Sequence, residues 1–96
     1  MAEVKLQLAE RGRGAFYLYE EGEKAGEMVV GISGTTLTVY HTEVDPRFEG
    51  RGLAKLMLEE MVAYARTNKL TVMPLCPYVH AQFKRHPELY NDIWKQ

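Results

Sequence analysis

The spacing of apolar residues changes period once along the chain, at about residue 45. Before that point the pattern has a period of two. Val4, Leu6 and Leu8 alternate with charged or polar neighbours, and after a break at Gly12-Arg13-Gly14, Phe16 and Leu18 alternate with Tyr17 and Tyr19. Glu20 to Glu23, with Gly22 inside it, predicts a hairpin turn, and Met28, Val29, Val30 and Ile32 predict a third strand. Ser33-Gly34 supplies the next tight turn, since glycine accepts a positive φ without a Cβ clash. Thr35 to Val44, rich in β-branched and aromatic residues, predicts a fourth strand. Together they predict an antiparallel meander of four strands.

After Asp45-Pro46 the period becomes helical. Leu53, Leu56, Met57, Met61, Tyr64 and Ala65 recur at steps of three and four, with Glu59, Glu60 and Arg66 on the other side, which predicts a helix ending near Asn68. Leu70 to Leu75 reads as a short buried strand. Pro77 to His86 reads as a second helix with proline at its first position. Pro87 stops that helix and can start another. Leu89 and Ile93, like Tyr90 and Trp94, are four apart, so the last ten residues are expected to form a short helix packed back on the rest. The element order predicts an α+β (mixed α/β) layer fold.

Composition narrows the class. With 96 residues, 46% hydrophobic and 26% charged, the chain is expected to be a single globular domain spanning 1–96, and disordered or low-complexity classes drop away. A formal charge of -1 supports neither nucleic acid nor an anionic membrane as partner. Its distribution is uneven: residues 1–45 hold four basic and eight acidic side chains, residues 46–96 eight basic and five acidic. The second half therefore favours an anion. Cys76 has no second cysteine to pair with, and the first residues are too charged for a secretory leader, so a reducing, cytoplasmic setting is expected. Apolar runs of about five residues, such as Met61 to Ala65, are far below the ~20 a membrane helix needs.

The most informative segment runs from Val44 to Lys55, a strand that passes through a glycine-bearing turn into an amphipathic helix. The first turn of a helix leaves backbone N–H groups without internal acceptors, and the macrodipole adds about half a positive charge there. Phosphate fits such a socket. Gly50 and Gly52 let the backbone approach an anion closely, while Arg47, Arg51 and Lys55 add charge. No window supplies the Gly-x-x-x-x-Gly-Lys of a P-loop. A dinucleotide fingerprint fails as well, because Lys55 stands where its third glycine belongs and the next strand carries no acid for a ribose hydroxyl. What remains is Arg-x-x-Gly-x-Gly, as Arg47-Phe48-Glu49-Gly50-Arg51-Gly52.

At these residues the sequence resembles the GNAT superfamily of acetyl-CoA-dependent N-acetyltransferases, whose pyrophosphate loop follows this spacing. His41-Thr42-Glu43-Val44, the loop, then Cys76-Pro77-Tyr78 and His86-Pro87-Glu88 extend the likeness to the small single-domain branch, over about residues 14–94. The resemblance implies a GNAT-like fold with the fifth strand splayed from the fourth, and acetyl-CoA as acyl donor. It implies that backbone amides of Phe48, Glu49, Gly50, Arg51, Gly52, Leu53 and Ala54 hold the CoA pyrophosphate, with the pantetheine arm beside Glu43 and Val44. The chain lacks room for the helix pair that larger members place between their first two strands. That leaves the acceptor amine unidentified, and an open site would suit a protein side chain or another bulky amine.

Acetylating an amine needs a neutral nucleophile and a protonated leaving thiol. An amine of pKa ~10.4 costs about 4.6 kcal/mol to deprotonate at pH 7, so a base or desolvation must help. His41 and Glu43, two apart on the fourth strand and hence on one face, are the candidate bases. Each has a plain structural reading too, His41 as a hydrogen bonder and Glu43 as a rim charge. Cys76 precedes Pro77 at the expected N-cap of a helix, where the dipole favours a thiolate. It is a candidate acid for the departing CoA thiolate, a candidate nucleophile that carries the acetyl group, or a small buried hydrophobe. Tyr78 and Tyr90 are alternative proton donors, and Phe83 a candidate flank for the CoA arm. His80, His86 and Cys76 lack the paired spacing of a zinc site, so no metal is expected. A catalytically weak CoA-binding module and a protein-interaction domain are the competing functions.

Overall fold

The computed structural model describes residues 2–95. Four strands, β1 (Ala2–Leu8), β2 (Arg13–Glu20), β3 (Glu23–Ser33) and β4 (Thr36–Val44), form the expected antiparallel meander. Helix α1 (Leu53–Thr67) then crosses the sheet and delivers β5 (Thr71–Pro74) parallel to β4, giving the order β1-β2-β3-β4-β5. Two further helices follow, α2 (Pro77–Arg85) and α3 (Pro87–Tyr90).

The core forms where the strand and helix periodicities meet. Phe16 and Leu18 of β2, Met28 and Val30 of β3, and Leu37 and Val39 of β4 are all buried, as are Leu53, Met57, Leu58, Met61, Val62 and Ala65 of α1. Burying a side chain of this size stabilises by roughly 1.5–3 kcal/mol, and the helical stripe is what commits α1 to the sheet. The edge ring of Phe16 against Tyr64, at 6.0 Å between centroids, marks the contact between β2 and α1.

Two irregularities shape the rest. β4 pairs with β3 at Val29–His41 and at Val30–Val39, so Tyr40 is an extra residue, a β-bulge. β5 pairs with only the first part of β4, Thr36 to Val39 against Thr71 to Pro74. Pro74 has no N–H to donate, and Pro77 opens α2, so β5 cannot extend. The last link is the Cys76 amide donating to the Val39 carbonyl at 2.9 Å. Beyond it β4 runs on to Val44 with no partner strand on that side among the described residues, and the sheet splays open as expected.

The end of the chain departs from expectation. Instead of one helix over the last ten residues, of which Gln96 lies outside the described residues, α3 has four residues and the chain then turns. Trp94 bridges Val72 in parallel, with the Val72 amide donating to Ile93 and the Lys95 amide to Val72 at 2.6 and 2.9 Å. The free edge of β5 offers unpaired donors and acceptors, and satisfying them outweighs continuing a short helix. Tyr90 and Ile93 are buried, whereas Leu89 is 53% exposed, so the spacing of four did not mark a shared face.

Candidate active site

The splay leaves a groove of about 420 Å³ between β4, the turn that follows it and α2. The turn is held from below by Asp45, whose carboxylate accepts the Arg47 amide at 2.9 Å and caps a single 3-10 turn, Pro46–Phe48. Phe48 is buried and pins the turn to the core. Gly50 and Gly52 both have left-handed φ, +80° and +71°, and a Cβ at either position would meet nothing within 4 Å. Gly52 is the N-cap of α1, and the first helical bond runs from the Leu56 amide to the Gly52 carbonyl at 3.3 Å. The Phe48 and Glu49 amides donate to the Asp45 and Pro46 carbonyls at 2.8 and 3.4 Å, whereas those of Leu53 to Lys55, before Leu56, have no acceptor within the helix.

The side chains sort into lining and rim. Val44, Phe48, Glu49, Gly50, Gly52, Leu53 and Ala54 line the groove, together with Lys55. Arg47 does not. Its guanidinium bonds Asp45 at 3.1 Å and Glu23 at 3.3 Å, which raises its pKa and lowers that of Asp45. Arg47 and Arg51 both lie over the Phe48 ring, at 5.2 and 5.4 Å. Arg47 therefore braces the turn and stands outside the groove lining. Phe83 does not line the groove either. It has no exposed surface and stacks on Tyr90 at 4.7 Å, because α2 turns its Val79–Phe83 stripe into the core.

The β4 wall is set by the bulge. Residues opposite one another on neighbouring strands share a face. Val39 opposes Val30 and Thr42 opposes Met28, so Leu37, Val39, Thr42 and Val44 all face the core side, although their spacing is not a multiple of two throughout. His41 and Glu43 share the other face, opposite Val29 and Glu27, with Nε2 to Oε2 at 3.5 Å and both side chains more than half exposed, 60% and 54%. Glu43 lines the groove, and it also lines a second cavity of about 300 Å³ on the far side of β4, formed with Lys24 to Glu27. His41 lines neither.

Cys76 is the N-cap residue of α2, as expected, but it is 2% exposed and does not line the groove. Its Sγ lies 3.2 Å from Thr42 Oγ1, and Thr42 does line the groove. Thr42 escaped the sequence reading because its face depends on the bulge. Tyr78 lines the groove from α2, and its pKa is raised, first by burial and then by its neighbours Tyr90, Cys76 and Glu59. The phenol therefore stays protonated across the physiological range. Tyr90, raised likewise by burial, is buried against Phe83 away from the groove. His80 meets the Trp94 ring and His86 lies 3.7 Å from Glu88; among the described residues no three His, Cys, Asp or Glu side chains gather in a metal-holding group. No described helix is long and apolar enough to cross a membrane.

A backbone turn open to an anion, a strand edge left unpaired beside it, and a groove running between them suit an extended molecule with a phosphate-bearing end. No curated protein shows significant sequence similarity to the chain. Solved structures do share its fold. A ribosomal-protein-alanine N-acetyltransferase from Brucella melitensis biovar Abortus 2308 superposes with a TM-score of 0.72 at 14% identity, covering 100% of this chain and 93% of that one. The ribosomal-protein-S18-alanine N-acetyltransferase from Escherichia coli gives 0.68 at 19% identity, over 84% and 53%. A GNAT family acetyltransferase from Elizabethkingia anophelis with acetyl-CoA bound gives 0.68 at 10%, over 92% and 74%. The model of the family described as GCN5-related N-acetyl-transferase matches residues 15–93, from β2 to the Trp94 bridge, and so the chain belongs to the GNAT superfamily, whose acyl donor is acetyl-CoA.

Proposed function

We propose that the chain is a minimal acetyltransferase unit that moves an acetyl group from acetyl-CoA to an amine acceptor. The observation that carries this reading is the open glycine turn set against the unpaired half of β4. The amides from Gly50 to Ala54 would hold the diphosphate, those of Phe48 and Glu49 being bonded to the Asp45 and Pro46 carbonyls, and Glu43 and Val44 would flank the arm that leads to the thioester. Bare Cβ space at Gly50 and Gly52 fits that role, since a cradle for phosphate needs close backbone approach.

In the reaction the nitrogen joins the acetyl carbon and gives up two protons, while the sulfur leaves and takes one. Glu43 would receive protons from nitrogen, a role supported by its bordering both the groove and the cavity beyond β4, where an amine can approach. His41, 3.5 Å away and exposed, passes them to solvent. A positioned base of this kind contributes about 10²- to 10⁴-fold. On the leaving side two candidate proton donors are available, Tyr78 on the groove wall and Cys76 behind it. Cys76 is 2% exposed and does not line the groove, which leaves its sulfur no path to the thioester, so direct transfer within a ternary complex is the expected route.

The test is a screen of small amines, peptides and proteins with acetyl-CoA, read by thiol release. Glu43→Gln is expected to lower kcat about 100-fold, and Cys76→Ser to lower it while leaving stabilisation by acetyl-CoA intact. Stabilisation by acetyl-CoA without turnover on any amine would make the chain a CoA-binding module. No response to CoA or its acetyl ester would leave the interaction domain.

A further inference from the structure

Resting on the acetyl-transfer reading above, we infer that Thr42 is the hydroxyl that protonates the departing thiolate, and that the Cys76 thiol behind it resupplies the proton. Cys76 itself does not meet the groove. Its main chain is tied to β4 through the Val39 carbonyl at 2.9 Å, and its sulfur is covered to 2% exposure. Thr42 stands between, with its side chain partly buried, its Oγ1 3.2 Å from Cys76 Sγ and its surface on the groove. The bulge at Tyr40 is what brings it there. With regular pairing after Val39, His41 would face the core and Thr42 the far side. Bulges beside functional sites re-aim a side chain in this way.

A hydroxyl has one proton to give and two lone pairs to accept with, whereas a thiol is a weak donor. Among the described residues the Thr42 hydroxyl has one hydrogen-bond partner, the Cys76 sulfur. When Cys76 S–H donates to Oγ1, the hydroxyl proton is free to point into the groove. The transfer then balances in one step. The Oγ1–H bond breaks as a bond forms between that proton and the leaving sulfur, while Cys76 S–H breaks and restores Oγ1–H. Cys76 is left as a thiolate and recovers a proton from water after the products depart. Tyr78, also on the groove wall, is the competing donor, and this transfer does not use it.

The proton's position is read without acetyl-CoA. Cys76 is the sole cysteine, so the S–H stretch in a Raman spectrum of the unliganded protein is a single band that Cys76→Ser removes. A thiol donating to oxygen absorbs lower than one that does not. Thr42→Val is expected to move the band to higher wavenumber and Thr42→Ser to restore it; Thr42→Ala serves in place of Val should that variant fail to fold. With an identified amine, Thr42→Val is expected to lower kcat about 100-fold with KM for acetyl-CoA little changed, and Thr42→Ser to keep most of it. A band unmoved by Thr42→Val, or full kcat in that variant, overturns the relay. If the wild type acetylates no amine, the acetyl-transfer reading and the relay with it are lost, while the band still reports whether Cys76 donates to Thr42.

Discussion

The substitution that most directly probes the glycine turn is Gly52→Ala. Gly52 sits at φ +71°, ψ +20°, and a Cβ there would meet nothing within 4 Å. Steric collision therefore adds no cost, and what is left is the backbone penalty for an L-residue in the left-handed region, about 1–2 kcal/mol. For a domain of this size each kcal/mol shifts Tm by about 4–8 °C, so the variant should melt about 4–16 °C lower. Gly52→Asn, whose side chain tolerates this conformation, should lose less. The second readout is stabilisation by CoA. At 100 times its Kd a ligand adds about 2.7 kcal/mol, a shift of roughly 10 °C or more. In Gly52→Ala that shift should shrink, because the turn relaxes toward negative φ and takes its amides out of line. An alanine variant that melts within a degree of wild type and keeps the full shift would refute both the left-handed turn and its part in binding.

Phe83→Ala should cost about 3–5 kcal/mol, as expected for a fully buried ring, a large share of the roughly 5–15 kcal/mol available. Phe83→Leu should leave the acetyl-CoA shift intact, and loss of that shift in a folded Phe83→Leu protein would contradict its place in the core. Asp92 accepts Arg66 Nε at 2.9 Å, and this hydrogen bond lowers its pKa below the ordinary 3.8. A depressed carboxyl pKa stabilises the fold above the unfolded value, and the stabilisation is lost as pH falls through the folded one. Asp92→Asn should thus be less stable near neutrality by about 0.2–1 kcal/mol, the usual range for an exposed pair. In urea titrations the gap should close as pH is taken below 3.8. Deleting Tyr40 removes the bulge and restores a period of two that leaves Thr42 on the core face and His41 on the other. It should keep the Cys76–Thr42 contact, seen as an S–H band near the wild-type position, and a band at the Thr42→Val position would refute the assigned register.

Much of the fold can be read from local spacing. Alternation in β1 to β4, the threefold and fourfold steps of α1, and Pro77 at the start of α2 each follow from a periodicity or a backbone restriction carried by a few adjacent residues. The glycine turn is legible for the same reason, since a positive φ at Gly50 and Gly52 is a property of the residues themselves. Cys76 at an N-cap and Tyr78 at the second position of α2 could likewise be placed by counting.

Four features depended on partners far away in sequence. The bulge at Tyr40 exists only in register with β3, and no spacing within β4 signals it, yet it decides that Thr42 rather than His41 meets Cys76. Arg47 reads as a charge for an anion until Glu23, 24 residues earlier, is seen to share it with Asp45. Phe83 could serve a groove or a core equally well from its helical spacing, and Tyr90 stacking on it settles the matter. The last residues had a helical spacing but met the open edge of β5. Periodicity and backbone stereochemistry are local and so are written in the chain; register, ion-pair partners and edge satisfaction are sums over distant segments, and only the assembled structure evaluates them.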